Sequence, residues 1–436
     1  MAMARRRGLG LGFALLTALC GARVGRAEFR GDELEPRGFE YHDEYFISYL
    51  SFRPRLSYRW QWRDAAIGYA TTVGSLRATE FYLDQRVRLR IPFSDELTGE
   101  YRLIQTEDYD ARYTRNEVEV VVRAFRPARL APLSQTLGFT PMPDGLFFGA
   151  TAELQAAKEF VDVGGVLGYA TANSGIRLDV VRPDVLYNEK NDENGEFTEA
   201  PTTVRLSARS DLPESMVRVR AWASYDLPLQ LSLPQRDGGL VFRYRQFTAG
   251  GAVFWEPWQG FRVDLEVQGE ASRKTWDYAS GAQPNRDLRR SALLGVAQFE
   301  LDAEPFLGAR ASRGDLLFGS IFYHWLDEQV GRSDGVEIEL RRSEAYAELG
   351  YLLALPTPLP GWEGGARAAT QIGMLSERDV RPDDAKHTVG EKLLAKVGIG
   401  LEANSRGGRA GFLVQATIRV DDPSFGGANA QVILRF

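Results

Sequence analysis

The chain has 436 residues, 44% of them hydrophobic and 26% charged, and its 53 basic and 59 acidic residues give a formal charge of −6. An acidic balance argues against nucleic-acid binding, which needs a basic face. The single cysteine, Cys20, excludes an intrachain disulfide and a multi-thiolate metal cluster.

Residues 1–27 read as an export signal. Arg5, Arg6 and Arg7 form a basic start, an apolar run extends from about Leu9 to Leu19, and Gly25-Arg26-Ala27 puts small residues where a signal peptidase reads. The apolar run is too short to persist as a spanning helix. Leu19 before Cys20 is too large for a lipoprotein cleavage motif. A mature chain starting near Glu28 loses five of the 53 basic residues, which leaves 48 against 59 acids, a net charge of −11. Past residue 27 no run of about 18 apolar residues occurs, so a closed sheet is the remaining way to cross a bilayer. Residues 28–50 are expected to lie in the periplasm or to plug the barrel mouth, since some twenty residues bury no core.

From about residue 51 onward the dominant signal is alternation with period two, the mark of strands with two unlike faces. Val87, Leu89 and Ile91 alternate with Arg86, Arg88 and Arg90; Val118, Val120 and Val122 alternate with Glu117, Glu119 and Arg123. Val204, Leu206 and Ala208 alternate with Arg205, Ser207 and Arg209, and Val217, Val219 and Ala221 with Arg218, Arg220 and Trp222. In Phe261–Ala271 one face is wholly apolar or small, while Arg262, Asp264, Glu266, Gln268 and Glu270 form the other. Phe412, Val414, Ala416, Ile418 and Val420 repeat the pattern. Aromatic residues mark strand ends, as at Trp255 and Trp258, Tyr323 and Trp325, and Trp276 and Tyr278.

Connections alternate in length. Short ones fall near Pro92–Glu96, Ala172–Gly175, Ser210–Ser215, Glu256–Gly260 and Asn404–Gly408. Long polar ones fall near Asp108–Arg115, Asn188–Pro201, Asp277–Asp287, Asp327–Gly335 and Glu377–Gly390. Short periplasmic turns and long outer loops are the rule for outer-membrane barrels. The expected fold is therefore all-β: a transmembrane antiparallel up-and-down barrel over residues 51–436, with eighteen strands, or sixteen as the alternative. Leu50–Ser75 and Ala128–Ala150 are the stretches that leave the count open.

The last strand is the most specific element. Val432, Leu434 and Phe436 share one face, with Gln431 and Arg435 on the other. An aromatic C-terminal residue after alternating apolar residues resembles the insertion signal of bacterial outer-membrane barrels. That resemblance implies contact with the barrel-insertion machinery, with outer-membrane lipid and with lipopolysaccharide. It names a superfamily and no substrate.

Catalysis has few candidates. Of His42, His324 and His387, only His324 sits in a strand pattern, on its polar face. Barrel lipid hydrolases carry a serine two residues after the histidine, where this chain has Leu326. Ser320 shares the face of His324, but four residues of strand is about 13 Å. Protease chemistry of the omptin kind needs paired rim acids, and Glu107-Asp108, Asp192-Glu193, Asp383-Asp384 and Asp421-Asp422 offer acids without a defined pairing. No catalytic residue, metal or cofactor is expected.

The inward charges carry more information. Pairing across Ser210–Ser215 is expected to set Arg205 near Arg220 and Arg218 near Ser207, forming one basic wall, with Arg86, Arg88 and Arg90 as another. Glu117, Glu119, Asp264, Glu266 and Glu270 supply inward acids. Arg243 and Arg245 lie where the alternation slips near Gln246, so their face is open. A barrel of this size has room for an aqueous channel. The expected function is passive passage of hydrophilic solutes through a porin-like channel. The alternatives are an export conduit for an acidic exopolysaccharide with a periplasmic partner, an outer-membrane enzyme, and a plugged structural barrel.

Overall fold

The computed structural model describes residues 66–74, 82–92, 97–107, 112–123, 145–155, 160–171, 173–183, 185, 195–212, 215–234, 238–281, 283–308, 314–357, 360–380, 392–405 and 409–435. The expected signal peptide, the segment 28–50, His42, His387 and Phe436 lie outside the described residues.

The alternating pattern produces strands throughout. β1 (Ile67–Gly74), β2 (Tyr82–Pro92), β3 (Leu97–Glu107), β4 (Arg112–Arg123), β5 (Gly145–Gln155), β6 (Phe160–Ala170) and β7 (Ser174–Arg182) come first. β8 (Glu196–Glu199), β9 (Thr203–Leu212), β10 (Val217–Leu233), β11 (Leu240–Trp258), β12 (Phe261–Tyr278) and β13 (Arg286–Asp302) follow. A single-turn helix, α1 (Glu304–Leu307), precedes β14 (Leu316–Arg332), β15 (Glu337–Leu355) and β16 (Trp362–Val380). β17 (Lys392–Ser405), β18 (Ala410–Arg419) and β19 (Ser424–Leu434) complete the chain.

Consecutive strands pair antiparallel, β7 pairs directly with β9, and β19 returns to β1, so eighteen of the nineteen strands close a ring. At the closure Ile67 faces Leu434 and Tyr69 faces Val432. β8 stands outside the ring, paired along Gln230–Ser232 of β10. Closure gives each of the eighteen ring strands a partner on both sides among the described residues, which avoids the unpaired strand edge that hydrocarbon would penalise heavily. The count agrees with the expected eighteen. An even ring brings the start of β1 and the end of β19 to one rim, the terminal rim; the opposite end is the distal rim.

The outer surface is an apolar band. Register aligns Val253, Leu265, Ala297, Ile321, Ala347 and Ile372 in one row across β11–β16, with Gly251, Val267, Gly295, Tyr323, Ala345 and Met374 in the next. Leu265, Ile321 and Ile372 are 49%, 64% and 59% exposed, the surface a lipid phase would cover. On β12 the band runs from Phe261 to Ala271, ten residue steps or about 34 Å of strand. At a tilt of about 40° this spans about 26 Å, the height of a bilayer's apolar zone. Near the terminal rim Trp258 stacks on Phe261 at 4.5 Å, as an interfacial aromatic does.

The wall is uneven. β10–β16 have 17–19 residues, whereas β1–β7 have 8–12. About ten residues suffice to span, so the surplus of β10–β16 projects past the distal end of the apolar band. Two expected long loops are thereby shortened: β12 continues to Tyr278 and β13 begins at Arg286, while β14 continues to Arg332 and β15 begins at Glu337, so that most of Asp327–Gly335 is strand. Conversely, the connection of residues 303–315 on the terminal rim holds α1 and is longer than the distal turn of residues 333–336. Length alone therefore does not mark the side of every connection.

Candidate functional site in the barrel interior

Alternation sends the polar residues inward, and there they pack closely. Asp264, Glu266 and Gln268 on β12 are 0%, 4% and 3% exposed. Arg220, Glu300, Arg367, Gln371, Lys396 and Arg419 are all 3% exposed or less. An open channel of porin calibre leaves such side chains wet. Here the charged interior is withdrawn from water, at a cost of several kcal/mol per ion unless partners answer it.

Partners do answer it. On the inner face of β2, Arg88 Nε lies 2.9 Å and Arg90 Nε 3.0 Å from the two oxygens of Glu100. Arg86 is buried on the same face. On β7, Arg177 Nη2 contacts Asp179 Oδ1 at 2.7 Å. Arg367 Nη2 lies 3.7 Å from Glu348 Oε1, and its guanidinium sits 4.6 Å from the ring centroid of Phe318. Lys396 Nζ donates to the Gly426 carbonyl at 2.9 Å.

The expected basic wall exists, with a different register. Arg220 faces Arg209, Arg218 faces Asp211, and Arg205 faces Ser224. This displaces the expected pairing by four residues, an even number that keeps every residue on its face. Arg209 thus joins the wall, and Arg205, Arg209, Arg218 and Arg220 are each engaged in a polar or ring contact. The Arg218 guanidinium sits 5.6 Å from the ring centroid of Phe254. Asp264, Glu266 and Glu270 line the corresponding face of β12, one strand beyond β11, whose inner face at this level is uncharged: they lie opposite Phe254, Ala252 and Thr248. Glu117 and Glu119 of β4 pair in register with Arg102 and Glu100 of β3.

His324 is inward, opposite Glu344 on β15 and Leu294 on β13. It borders a cavity of about 80 Å³ with Glu270, Arg290, Arg342 and Glu344, and none of the described lining residues carries a hydroxyl side chain. Ser320 faces Glu348 and Gln298 instead.

Near the distal rim the interior changes character. A bulge between Asp226 and Leu229 shifts β10 by one residue, so Leu229, Leu231 and Leu233 turn inward. They join Leu240, Phe242 and Tyr244 of β11, with Phe197, Trp276 and Tyr278 packed against them. Leu231, Leu233 and Phe242 are 0% exposed. The outer face inverts at the same level: Arg243 and Arg245 point outward, away from the interior. The apparent slip near Gln246 is therefore no slip. β11 leaves the apolar band there, and its two faces exchange chemistry. Sequence reasoning missed this cluster because its only local signal was Pro228 at the bulge.

At the closing strand, Val432 and Leu434 lie on the outer face, 45% and 36% exposed, while Ile433 points inward at 1%.

A closed antiparallel ring with an apolar outer band and a charged inner face defines a membrane-spanning β-barrel. No family model matches the chain, and no curated protein sequence is significantly similar to it. Among solved structures it is similar to CdiB from Acinetobacter baumannii, at 9% identity over 85% of this chain and 60% of that chain, with a TM-score of 0.35. It is similar to a bacterial polysaccharide outer membrane secretin at 11% identity, over 85% and 97% of the two chains, with a TM-score of 0.36. It is also similar to OprD from Pseudomonas aeruginosa at 10% identity, over 84% and 92%, with a TM-score of 0.34. The chain spans 60% of the length of CdiB.

Proposed function

We propose that the protein is an outer-membrane barrel that holds a hydrophilic conduit, occluded at its distal mouth, with the terminal rim in the periplasm. The observation that carries this reading is the inner-face cluster of Leu231, Leu233 and Phe242, wholly excluded from water at the mouth of a charged interior. A barrel needed only as a scaffold is filled more cheaply by apolar side chains than by paired ions. A buried ionic interior beside a water-excluded apolar cluster at one end suits the resting form of a gated path, since apolar constrictions gate by dewetting. The reading assigns no catalytic step.

The cargo we infer is a small hydrophilic solute. Asp264, Glu266 and Glu270 of β12 lie on the same inner face one strand beyond β11, with Asp264 level with Arg218 and Glu266 level with Arg220, so acids interrupt the basic wall that an acidic polymer would need. Liposome swelling tests the reading. Full-length protein should admit small sugars slowly, and Leu231→Ser combined with Phe242→Ser should admit them faster. Porin-like rates from the unaltered protein would sink the occlusion.

A further inference from the structure

The outer face carries a second feature, at the upper edge of the apolar band. On β11 the outward residues below this edge are Trp255, Val253, Gly251, Ala249 and Phe247, and the next is Arg245. On β12 they are Val263, Leu265, Val267, Gly269 and Ala271, and the next is Arg273. On β13 they are Phe299, Ala297, Gly295, Leu293 and Ser291, and the next is Arg289. Register puts the three arginines in one row, Arg245 opposite Arg273 and Arg273 opposite Arg289. Like charges directly opposite one another destabilise a sheet unless an anion answers them.

The protein answers them only in part. Asp287 accepts from Arg273 at 2.8 and 2.9 Å and reaches Arg289 at 3.4 Å. Arg243, one step above Arg245 on the same face, pairs with Asp277. Arg245 has no carboxylate within ion-pair distance among the described residues. Beside the row lies a cavity of about 600 Å³, lined by five arginines and three carboxylates. Its balance is positive in an otherwise acidic protein.

We propose that Arg245, Arg273 and Arg289 bind the phosphorylated headgroup of a lipid whose acyl chains cover the apolar band beneath them. The position selects a lipid over a soluble anion, since the row begins where exposed Phe247 and Ala271 end. Arginine suits the task, because its planar fork meets phosphate oxygens two at a time. The proposal rests on the outer-membrane reading; if the distal rim faces outward, the lipid is the phosphorylated glycolipid of the outer leaflet.

The test takes full-length protein in nanodiscs of phosphatidylcholine doped with bisphosphorylated lipid A, its dephosphorylated form, or neither, and reads bound lipid by native mass spectrometry. The unaltered barrel should retain the bisphosphorylated lipid at least tenfold more than the dephosphorylated one. Arg245→Gln, which breaks no ion pair, should lower retention several-fold, and the triple change with Arg273→Gln and Arg289→Gln should abolish the preference. Heat-modifiable migration confirms that each variant is folded. Equal retention by Arg245→Gln and the unaltered protein would overturn the site, as would competition by millimolar inorganic phosphate. Ser280 is exposed in the distal turn between β12 and β13, and labelling of Ser280→Cys on intact cells separates the two claims. An unlabelled distal turn defeats the outward orientation, whereas a labelled turn without lipid preference defeats only the site.

Discussion

Trp222 on β10 rests against the bare Cα of Gly250, its directly opposite neighbour on β11; a Cβ built on Gly250 would lie 2.5 Å from ring carbon Cζ2. Phe318 against Gly350 repeats the arrangement farther round the ring, and at Gly373 a Cβ would meet the Cβ of Tyr346, its opposite neighbour. In each pair the interior is filled at a place where the next strand carries no side chain. Gly250→Ala should therefore destabilise the barrel by about 1–3 kcal/mol, the usual cost of overpacking. Gly295→Ala is the control, because a Cβ there meets nothing within 4 Å. Urea unfolding in detergent should separate the two; equal midpoints would show that Trp222 moves aside freely.

The fork formed by Arg88 and Arg90 on Glu100 ties β2 to β3 inside the wall. Glu100→Gln removes the carboxylate that both guanidiniums share. Losing one partner of a buried ion pair costs about 3–5 kcal/mol. The change should lower the unfolding midpoint far more than Asp334→Asn, whose carboxylate serves an exposed distal turn. A similar loss from both would mean that the interior pair is screened by water.

One pH effect lies in the turn between β18 and β19. Burial alone would push the Asp421 carboxyl up, but the Arg419 guanidinium at 2.6 Å and the Ala395 N–H at 3.1 Å outweigh it and hold the group below its ordinary value. A carboxyl depressed on folding adds stability that is complete above its unfolded value, about 3.9 for aspartate. That increment disappears as pH falls through the lower folded value. Stability of the unaltered protein should fall more steeply below about pH 4 than that of Asp421→Asn. Parallel pH curves would assign the acid sensitivity elsewhere.

Much of the fold was legible because a lipid-covered wall imposes one rule on every strand. Phe261–Ala271 announced its lipid face residue by residue, and the strand count followed. The register across the β9–β10 turn was not legible. Alternation fixes which face Arg205 and Arg220 share, yet any even displacement satisfies it equally, and turn geometry chose Arg209 as the partner of Arg220. The tall distal wall was hidden for a related reason. Above the band the outward residues of β11–β14 become Arg243, Arg245, Arg273, Arg289 and Asp327, so strand there looks like loop. The apolar cluster was hidden by the bulge at Asp226–Leu229, which reverses the faces of β10 without a strong local signal.

Single-channel recording in planar bilayers tests the central claim most directly. The unaltered barrel, inserted and folded, should show no steady porin-sized conductance at low voltage. Leu231→Ser with Phe242→Ser should show frequent openings, and Arg220→Gln added to that pair should shift its ion preference away from anions. A large, stable conductance step from the unaltered protein would contradict an occluded conduit.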